Sequence, residues 1–258
     1  MIKKKELNNF IEFSTKLIKQ SESITLKYFS RKVTPSYKKN KSPVTIADFK
    51  CEDFLIKEIK RNFPHHAIYS EERGEFKTDS EYKWIIDPVD GTRNFMRNYA
   101  FWGTLLALEY SGEVILGIIS LPALKEFIIA AKGKGCFFNG KKTKVSDVDK
   151  IENSYLLFGG LDYIIKSQYK NSFFNLVHKC PYNRGFGDCH GHTFLIKGKA
   201  EIMIDPKTAP YDIASAKICV EEAGGKLTDI LGNDTIYGGD ALISNGKMHE
   251  QVLKIING

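Results

Sequence analysis

The segment from Trp84 to Phe95 constrains this chain more than any other part of its sequence. It begins with the apolar run Trp84–Ile86, typical of the end of a buried strand, and the acids Asp87 and Asp90 follow at once. A carboxylate there costs free energy unless a cation compensates its charge, and two neighbouring carboxylates repel each other. By itself D-P-x-D also fits an Asp-Pro turn that ends a strand, but the attached G-T-x-N-F favours a ligand site.

The residue types around these acids suit a hard cation. Two carboxylates and one main-chain carbonyl are oxygen ligands of the kind that Mg²⁺ prefers. The fixed φ of Pro88 favours a turn that presents carbonyl groups outward. Gly91 allows the backbone to approach a ligand closely, and Thr92 adds a hydroxyl group. The segment therefore predicts a Mg²⁺ site.

The motif D-P-x-D-G-T-x-N-F resembles the signature of the inositol monophosphatase-like, metal-dependent phosphatases, and the resemblance spans about residues 40–230. It implies an α/β (α+β) fold, a layered αβαβα sandwich, and proteins of this type are usually dimeric. We therefore expect one phosphatase domain over residues 1–258, in two intimately packed halves of about 1–150 and 151–258, that forms a homodimer.

Composition limits the other classes of function. The net charge is +7 and the pI about 9.0, but the lysines are scattered, and the densest cluster (Lys38, Lys39, Lys41) is short. A nucleic-acid surface favours a basic stripe interleaved with aromatic residues, so we expect no nucleic-acid partner and a field that attracts anionic substrates. Five cysteines without a C-x-x-C pair indicate a reducing compartment. With no signal core and no run of 18 apolar residues, we expect a cytoplasmic protein with no membrane partner.

Hydrophobic periodicity predicts the elements of the first half. The predicted elements are an amphipathic helix at 6–29, a basic loop at 30–43, a helix from Thr45 to about Phe63, a strand at 67–70 and a polar loop at 73–81 that is a candidate mobile lid. Strand-like runs follow at 99–110, 114–121 and 126–132, with a hairpin at 135–144. This order predicts an antiparallel meander.

The second half alternates between the two kinds of element. The predicted order is a strand at 154–158, a helix at 162–179, a helix-like stretch around 194–196, a strand at 200–204, a helix from 210 to Gly224-Gly225, strands at 226–230 and 240–244, and a helix at 247–256. Strands that alternate with helices favour sheet layers covered by helices.

Four further acids are candidates for the site. Asp48, in T-x-x-D, fits a capping box, but the resemblance favours a role at the metal site. Neighbouring residues of an extended segment point to opposite sides, so only one of Glu71 and Glu72 faces the site, and the resemblance assigns Glu71. Asp212 fits stabilisation of a helix dipole, but D-x-A before A-G-G resembles the second signature of the family. There, Tyr211 replaces the usual tryptophan.

The proposed metal ligands are Glu71, Asp87, the Val89 carbonyl, Asp90 and Asp212, with Asp48 as a possible further acid. So many carboxylates require more than one divalent cation, so we expect two or three Mg²⁺ ions that assist an in-line phosphoryl transfer. The catalytic residues expected are Glu71 and Thr92, which hold the attacking water, together with Asp48. The main-chain amides of Gly91 and Thr92 are expected to bind phosphate oxygens.

The run R-G-F-G-D-C-H-G at 184–191 bears on the substrate. It resembles the histidinol-phosphatase branch of the superfamily, whereas inositol phosphatases carry small neutral residues there. Asp188 and Asp205 would pair with the cationic amine of histidinol phosphate. The substrate contacts expected are therefore Asp90, Gly91, Thr92, Arg184, Gly187, Asp188 and Asp205. An inositol or other sugar or nucleotide phosphate is the alternative substrate.

Soft ligands near this run raise a second hypothesis, a zinc site. The candidate ligands are His178, Cys180, Cys189, His190 and His192. Their spacing lacks the C-x-x-C and H-x(3–5)-H pairs of zinc sites, and the adjacent Cys189 and His190 fit one tetrahedral centre poorly. The substrate-pocket interpretation is therefore preferred.

Overall fold

Two long helices form the outermost layer of the first half. The computed structural model describes residues 2–29, 31, 34–38 and 42–258, so Lys39 and Lys41 of the expected basic loop lie outside the described residues. Helix α1 spans Lys4–Phe29 and helix α2 spans Ile46–Asn62. Between them, the short strands β1 (Ser36–Tyr37) and β2 (Pro43–Val44) pair antiparallel. The two predicted helices are confirmed.

An eight-stranded sheet lies beneath this layer. Its strands are β3 (Ala67–Ser70), β4 (Gly74–Phe76), β5 (Tyr82–Asp90), β6 (Gly103–Tyr110), β7 (Glu113–Leu121), β8 (Glu126–Ala131), β9 (Gly135–Phe138) and β10 (Lys141–Thr143). The spatial order is β10-β9-β8-β7-β6-β5-β3-β4, and only the β3–β5 pair is parallel among the described strands of this sheet. The predicted meander is confirmed. The four-residue helix α3 (Thr92–Phe95) follows β5, and a 3₁₀ turn at Pro122–Leu124 joins β7 to β8.

Two predictions in this half are wrong in detail. The segment 73–81 is not a loop throughout, because β4 pairs with β3 and covers the edge of the sheet. Arg73 at its start is held by an ion pair with Asp53 at 2.8 Å. Strand β5 does not end at Ile86 but continues through Asp90, with a shift of register against β6.

A five-stranded sheet organises the second half. Its strands are β11 (Tyr155–Phe158), β12 (Tyr182–Arg184), β13 (Ile202–Asp205), β14 (Lys226–Thr228) and β15 (Ala241–Ser244), in the order β12-β11-β13-β15-β14. Its helices are α4 (Leu161–Lys166), α5 (Lys170–Lys179), α6 (Asp188–Ile196), α7 (Pro210–Glu222) and α8 (His249–Asn257), with a 3₁₀ turn at Ile151–Asn153. Strands β11, β12 and β13 are parallel, whereas β15 is antiparallel to both of its neighbours.

The helix predicted at 162–179 is two helices. Ser167 ends α4 because its backbone is extended (φ −79°, ψ 161°) and its hydroxyl donates a hydrogen bond to the carbonyl of Ile164 at 2.8 Å. Such a local side-chain bond competes with continuation of a helix. Strand β12 is also absent from the predicted elements, because its three polar residues show no apolar alternation.

The described residues form three large apolar cores between the layers. Helices α1 and α2 cover one face of the eight-stranded sheet, where Trp84 is buried. Helices α6 and α7 fill the space between the two sheets, around residues such as Ile85 and Ile213. Helices α5 and α8 pack together on the outer side of the second sheet, in a core that includes Phe173. The expected αβαβα sandwich is confirmed, and none of the helices in the described part of the chain is both long and apolar enough to cross a bilayer.

Candidate active site

The irregularity in β5 brings Asp87 and Asp90 to one face of the sheet. In a regular strand, residues three apart lie on opposite faces. Ile85 faces the α6–α7 core and Ile86 faces the α1–α2 core, so Asp87 faces α7 and Asp90 would face away from it. However, Asp87 lies opposite Leu105 and Asp90 opposite Gly103, which leaves one extra residue in β5. Such a bulge re-aims the side chains that follow it.

Asp212 at the start of α7 completes a cluster of three carboxylates. One oxygen each from Asp87, Asp90 and Asp212 lies within 4.8 Å of the other two. Burial raises the pKa of Asp87 and of Asp90 well above the ordinary range, and the charges of neighbouring acids raise both further. Burial also raises the pKa of Asp212, to about 7. Oxygen ligands at this spacing, whose negative charges repel one another, fit a divalent cation.

Helix N-termini hold two of these three carboxylates in place. Asp212 accepts a hydrogen bond from the main-chain amide of Ala209 at 2.6 Å, before α7. Asp90 accepts one from the main-chain amide of Cys189, in the first turn of α6. The partial positive charge of a helix N-terminus stabilises an anion. Asp90 and Asp212 are therefore held in position by the protein itself.

Asp48 forms a capping box and also lies beside the central motif. Its carboxylate accepts the main-chain amide and the hydroxyl of Thr45 at 2.9 and 2.6 Å, so the capping box of α2 is formed. Its other oxygen lies 3.4 Å from the hydroxyl of Thr92, which also donates to the Val89 carbonyl at 3.0 Å. Burial raises the pKa of Asp48 to about 6. Asp48 thus links α2 to the central motif.

Glu71 and Glu72 both contact one cation, and of the two only Glu71 lines the neighbouring cleft. The ammonium group of Lys38 lies 2.8 Å from Glu71 and 2.5 Å from Glu72. The two glutamates directly follow β3, which ends at Ser70. The charge of Glu71 raises the pKa values of Asp87 and Asp212, so it lies beside the cluster.

A cleft of about 240 Å³ opens beside the cluster, at Glu71 and Gly91. It is lined by Ser42, Pro43, Glu71, Gly91, Thr92, Arg93, Gly159, Gly160, Asp162, Tyr163, Asp188, Asp205, Pro206 and Lys207. Gly91 has a positive φ of 79°, and a Cβ there would lie 2.8 Å from the Phe101 carbonyl oxygen. A side chain at Gly159 would meet the Asp205 carboxylate at 2.4 Å. A side chain at either position would therefore collide with a neighbouring oxygen atom, which favours glycine there.

Asp188 is held in an unusual conformation on the cleft wall. It opens α6 with φ 57°, a left-handed region that aspartate and asparagine tolerate better than most residues. Burial, with a smaller contribution from the charge of Asp205, raises its pKa to about 6. Asp205 is buried, and one of its oxygens lies 2.9 Å from Nε2 of His192. The two carboxylates thus form an acidic wall.

Other predicted residues lie apart from the cleft. Gly187 precedes Asp188 and lies against Gly159, where a Cβ would be 2.8 Å from the Gly159 Cα. Arg184 is exposed, and its guanidinium donates to the carbonyl of its neighbour Asn183 at 2.7 Å. It does not line this cleft.

The residues of the zinc hypothesis are not assembled. Within the described ranges, the group that meets the geometry of a metal site is the Asp87–Asp90–Asp212 cluster. Cys189 packs in the core between the sheets, and Cys180 in the core beneath α5 and α8. His190 stacks on Phe101 and His192 contacts Asp205, so each histidine has a different environment.

The cluster predicts that Mg²⁺ stabilises the fold more strongly at high pH. Without a cation, the raised pKa values mean that the folded protein binds more protons than the unfolded chain between about pH 4 and 7, so its free energy of unfolding falls as pH rises through this window. A divalent cation relieves the repulsion and competes with those protons. Melting temperatures with EDTA and with Mg²⁺ should differ more at pH 8 than at pH 5.

Two variants test whether the pH dependence of the Mg²⁺ stabilisation arises from the carboxylate cluster or from the charge of the protein as a whole. Asp212→Asn should reduce the pH dependence, because it removes one of the repelling charges. Asp149→Asn, at an exposed position, should retain it. A Mg²⁺ shift that is equal at both pH values would contradict the prediction.

The layered fold and the buried acidic cluster define a class of metal-dependent α/β phosphatases. The sequence profile described as the inositol monophosphatase family matches residues 6–257. The chain therefore belongs to this family, whose phosphatases depend on Mg²⁺ and act on small phosphorylated substrates.

Individual relatives agree on the family and differ in their names. A protein of Chlorobaculum parvum named histidinol-phosphatase is 33% identical over 248 residues, which cover 95% of this chain and 96% of that protein. A protein of Thermotoga maritima named fructose-1,6-bisphosphatase/inositol-1-monophosphatase is 30% identical, over 96% of this chain and 95% of its own. A solved structure of an IMPase from the same organism has a TM-score of 0.86 at 28% identity, over 96% of this chain and 97% of that one.

Proposed function

We propose that this protein is a Mg²⁺-dependent phosphomonoesterase that hydrolyses L-histidinol phosphate to L-histidinol and phosphate, a step of histidine biosynthesis. The acidic wall of the cleft carries the proposal, because Asp188 and Asp205 both face it. Among the described residues, neither forms an ion pair with lysine or arginine. A leaving group with an ammonium group would supply the missing positive charge.

The metal site in the proposal consists of Glu71, Asp87, the Val89 carbonyl, Asp90 and Asp212. Two or three Mg²⁺ ions bound there would lower the pKa of a coordinated water and neutralise the charge that develops on the phosphoryl group. The spacing and charge of the carboxylates support such a role.

Thr92, Glu71 and Asp48 orient the attacking water. The Thr92 hydroxyl donates its proton to the Val89 carbonyl or to Asp48, so its oxygen lone pairs remain available to accept a hydrogen bond from the water. Glu71 accepts the other proton of that water. The new bond joins the water oxygen to phosphorus, and the bond to the ester oxygen breaks. The leaving alkoxide takes up a proton from solvent, and Glu71 returns to solvent the proton that it accepted.

Main-chain amides and the acidic wall place the two ends of the substrate. The amides of Gly91 and Thr92, at the start of α3, bind the phosphate oxygens. Arg184 and Gly187 remain part of the proposed substrate set, although Arg184 lies outside the cleft. Asp188 binds the ammonium group, with Asp205 beside it. The left-handed backbone of Asp188 supports this role, because strained conformations cluster at functional sites.

Replacement of Asp188 by asparagine should lower the preference for a cationic substrate. Asparagine tolerates the same backbone conformation but removes the charge. A charge-assisted hydrogen bond contributes about 1.5–3 kcal/mol, which is about 10- to 100-fold in specificity. We expect the ratio of kcat/KM for histidinol phosphate over that for p-nitrophenyl phosphate to fall by this factor.

Asp162→Asn is the matched control, because Asp162 lines the same cleft from an exposed position on α4. It should leave the ratio within about 2-fold, as expected for a weak surface charge effect. Equal losses on both substrates in Asp188→Asn would indicate a damaged fold or metal site.

Inositol phosphate is the alternative substrate, and the Thermotoga relative's name supports it. A wild-type enzyme with higher kcat/KM for inositol 1-phosphate or fructose 1,6-bisphosphate would overturn the histidinol assignment and leave the metal-dependent phosphatase intact. The homodimer, the single domain and the cytoplasmic location stay predictions. Sedimentation of the purified protein tests the first of them.

A further inference from the structure

The catalytic cleft continues into a second cavity of about 430 Å³. The two share the wall formed by Arg93, Gly159, Gly160 and Asp188. Beyond that wall the lining of the second cavity changes from acidic to aromatic. Its aromatic residues are Phe101, Phe158, Phe186 and His190. A molecule held at Asp188 can therefore extend into aromatic surroundings.

The aromatic wall is built around a buried ring. His190 is buried, and Phe101 stacks on it with ring centroids 4.2 Å apart and planes at 26°. Phe186 meets the same ring edge-on, at 5.8 Å and 69°. Phe101 and Phe186 are nevertheless 39% and 37% exposed. A single exposed aromatic residue is ordinary, but two on one cavity wall beside a catalytic cleft match the apolar lining of ligand sites.

The position of Phe101 is tied to the phosphate and ammonium ends of the site. The side-chain amide of Asn94 donates to the Phe101 carbonyl at 2.9 Å and lies 3.5 Å from the Asp188 carboxylate. The point where a Cβ of Gly91 would stand is 2.8 Å from the same Phe101 carbonyl and 3.5 Å from Asp188. The backbone proposed to bind phosphate, the acidic wall and the aromatic wall are thus close enough for one small molecule to contact all three.

We propose that the second cavity is a leaving-group subsite for a planar ring and that Phe101 is a specificity-determining residue within it. This inference rests on the proposed phosphatase function and specifies the substrate class. That class is phosphomonoesters of short amino alcohols in which one methylene group joins a flat, unsaturated ring to the carbon that carries the amine. The ring stacks between Phe101 and Phe186, the ammonium group lies at Asp188, and the phosphate lies at Gly91. Aromatic rings favour offset or edge-on contacts of this kind, and a protonated ring nitrogen adds a cation–π attraction.

Matched substrates isolate the contribution of the ring. L-Histidinol phosphate and L-alaninol phosphate share the phosphate and the amine and differ by the imidazole ring. We expect Phe101→Leu to lower the ratio of their kcat/KM values by about 3- to 10-fold, mainly through a higher KM for histidinol phosphate. Phe186→Leu should act in the same direction, and it serves if Phe101→Leu does not fold. Circular dichroism checks the folding of each variant.

Phe174→Leu is the control variant. Phe174 is also 39% exposed, but it lies on α5, packs against Phe173 and does not line the cavity. The ratio should stay within about 2-fold of wild type. Equal losses on both substrates in the Phe101 and Phe186 variants, or no change in the ratio, would overturn the subsite.

A second pair of esters separates this inference from the histidinol proposal. Benzyl phosphate and ethyl phosphate carry no amine and differ by a ring. If the wild-type enzyme hydrolyses these but not histidinol phosphate, the histidinol proposal fails. A selective loss on benzyl phosphate in Phe101→Leu would then still support the ring subsite, and equal kcat/KM losses on the pair would overturn it.

Discussion

Removal of divalent cations is expected to abolish phosphate release, and addition of Mg²⁺ is expected to restore it. The reason is the cluster of Asp87, Asp90 and Asp212, whose oxygens lie within 4.8 Å of one another and whose charges repel without a cation. Phosphate release from p-nitrophenyl phosphate after EDTA treatment and after dialysis into Mg²⁺ provides the measurement.

Two further conditions make this experiment specific. Ca²⁺ in place of Mg²⁺ should restore little activity, because its larger and looser coordination shell positions reacting oxygens less precisely. Circular dichroism in EDTA should show a folded protein, so that loss of activity is not loss of structure. Full turnover in excess chelator would refute the metal-dependent mechanism.

Thr92→Ala should lower kcat by about 10²-fold or more, as expected when assistance to a proton transfer is lost. The Thr92 hydroxyl connects the Val89 carbonyl to Asp48, at 3.0 and 3.4 Å, and the proposal places the attacking water beside it. Alanine suits the first position of α3, so the fold should persist. Steady-state kinetics at saturating Mg²⁺ gives the effect on kcat.

Thr92→Ser keeps the hydroxyl and should recover most of the lost rate. Thr143 lies on the distant edge strand β10, and its hydroxyl donates to the Ile196 carbonyl. Thr143→Ala removes this hydroxyl and should have little effect on kcat. Near wild-type turnover in Thr92→Ala would remove this residue from the mechanism.

The sequence predicts the core of this site because its acids follow local rules. Asp48 and Asp212 each lie three residues into a helix whose start is marked by Thr45 or Pro210. The starts of these two helices can therefore be predicted from the sequence, and the motif predicts that Asp87 lies beside their acids. The layered fold is predictable for the same reason, since the period of apolar residues changes from helix to strand along the chain.

Features that depend on distant partners were not predictable. The pairing of Lys38 with Glu71 and Glu72 joins residues more than thirty positions apart, and nothing local marks that lysine. The partnership of His192 with Asp205 and the stacking of Phe101 on His190 also depend on how α6 packs against the sheets. Aromatic and histidine residues are as common in cores as in sites, so their types alone carry no signal.

The extra residue in β5 between Asp87 and Asp90 makes this stretch sensitive to length rather than only to side-chain identity. Insertion of one residue between them, with the bulge kept, would turn one carboxylate toward the α1–α2 layer, and deletion of one would remove the bulge and the bend that it produces, although every acid would still be encoded. Insertions and deletions in the turn at Ser111–Gly112 do not change which face of the sheet these carboxylates take. Natural or laboratory variation in this protein should therefore tolerate changes of chain length at that turn and exclude them from the central strand.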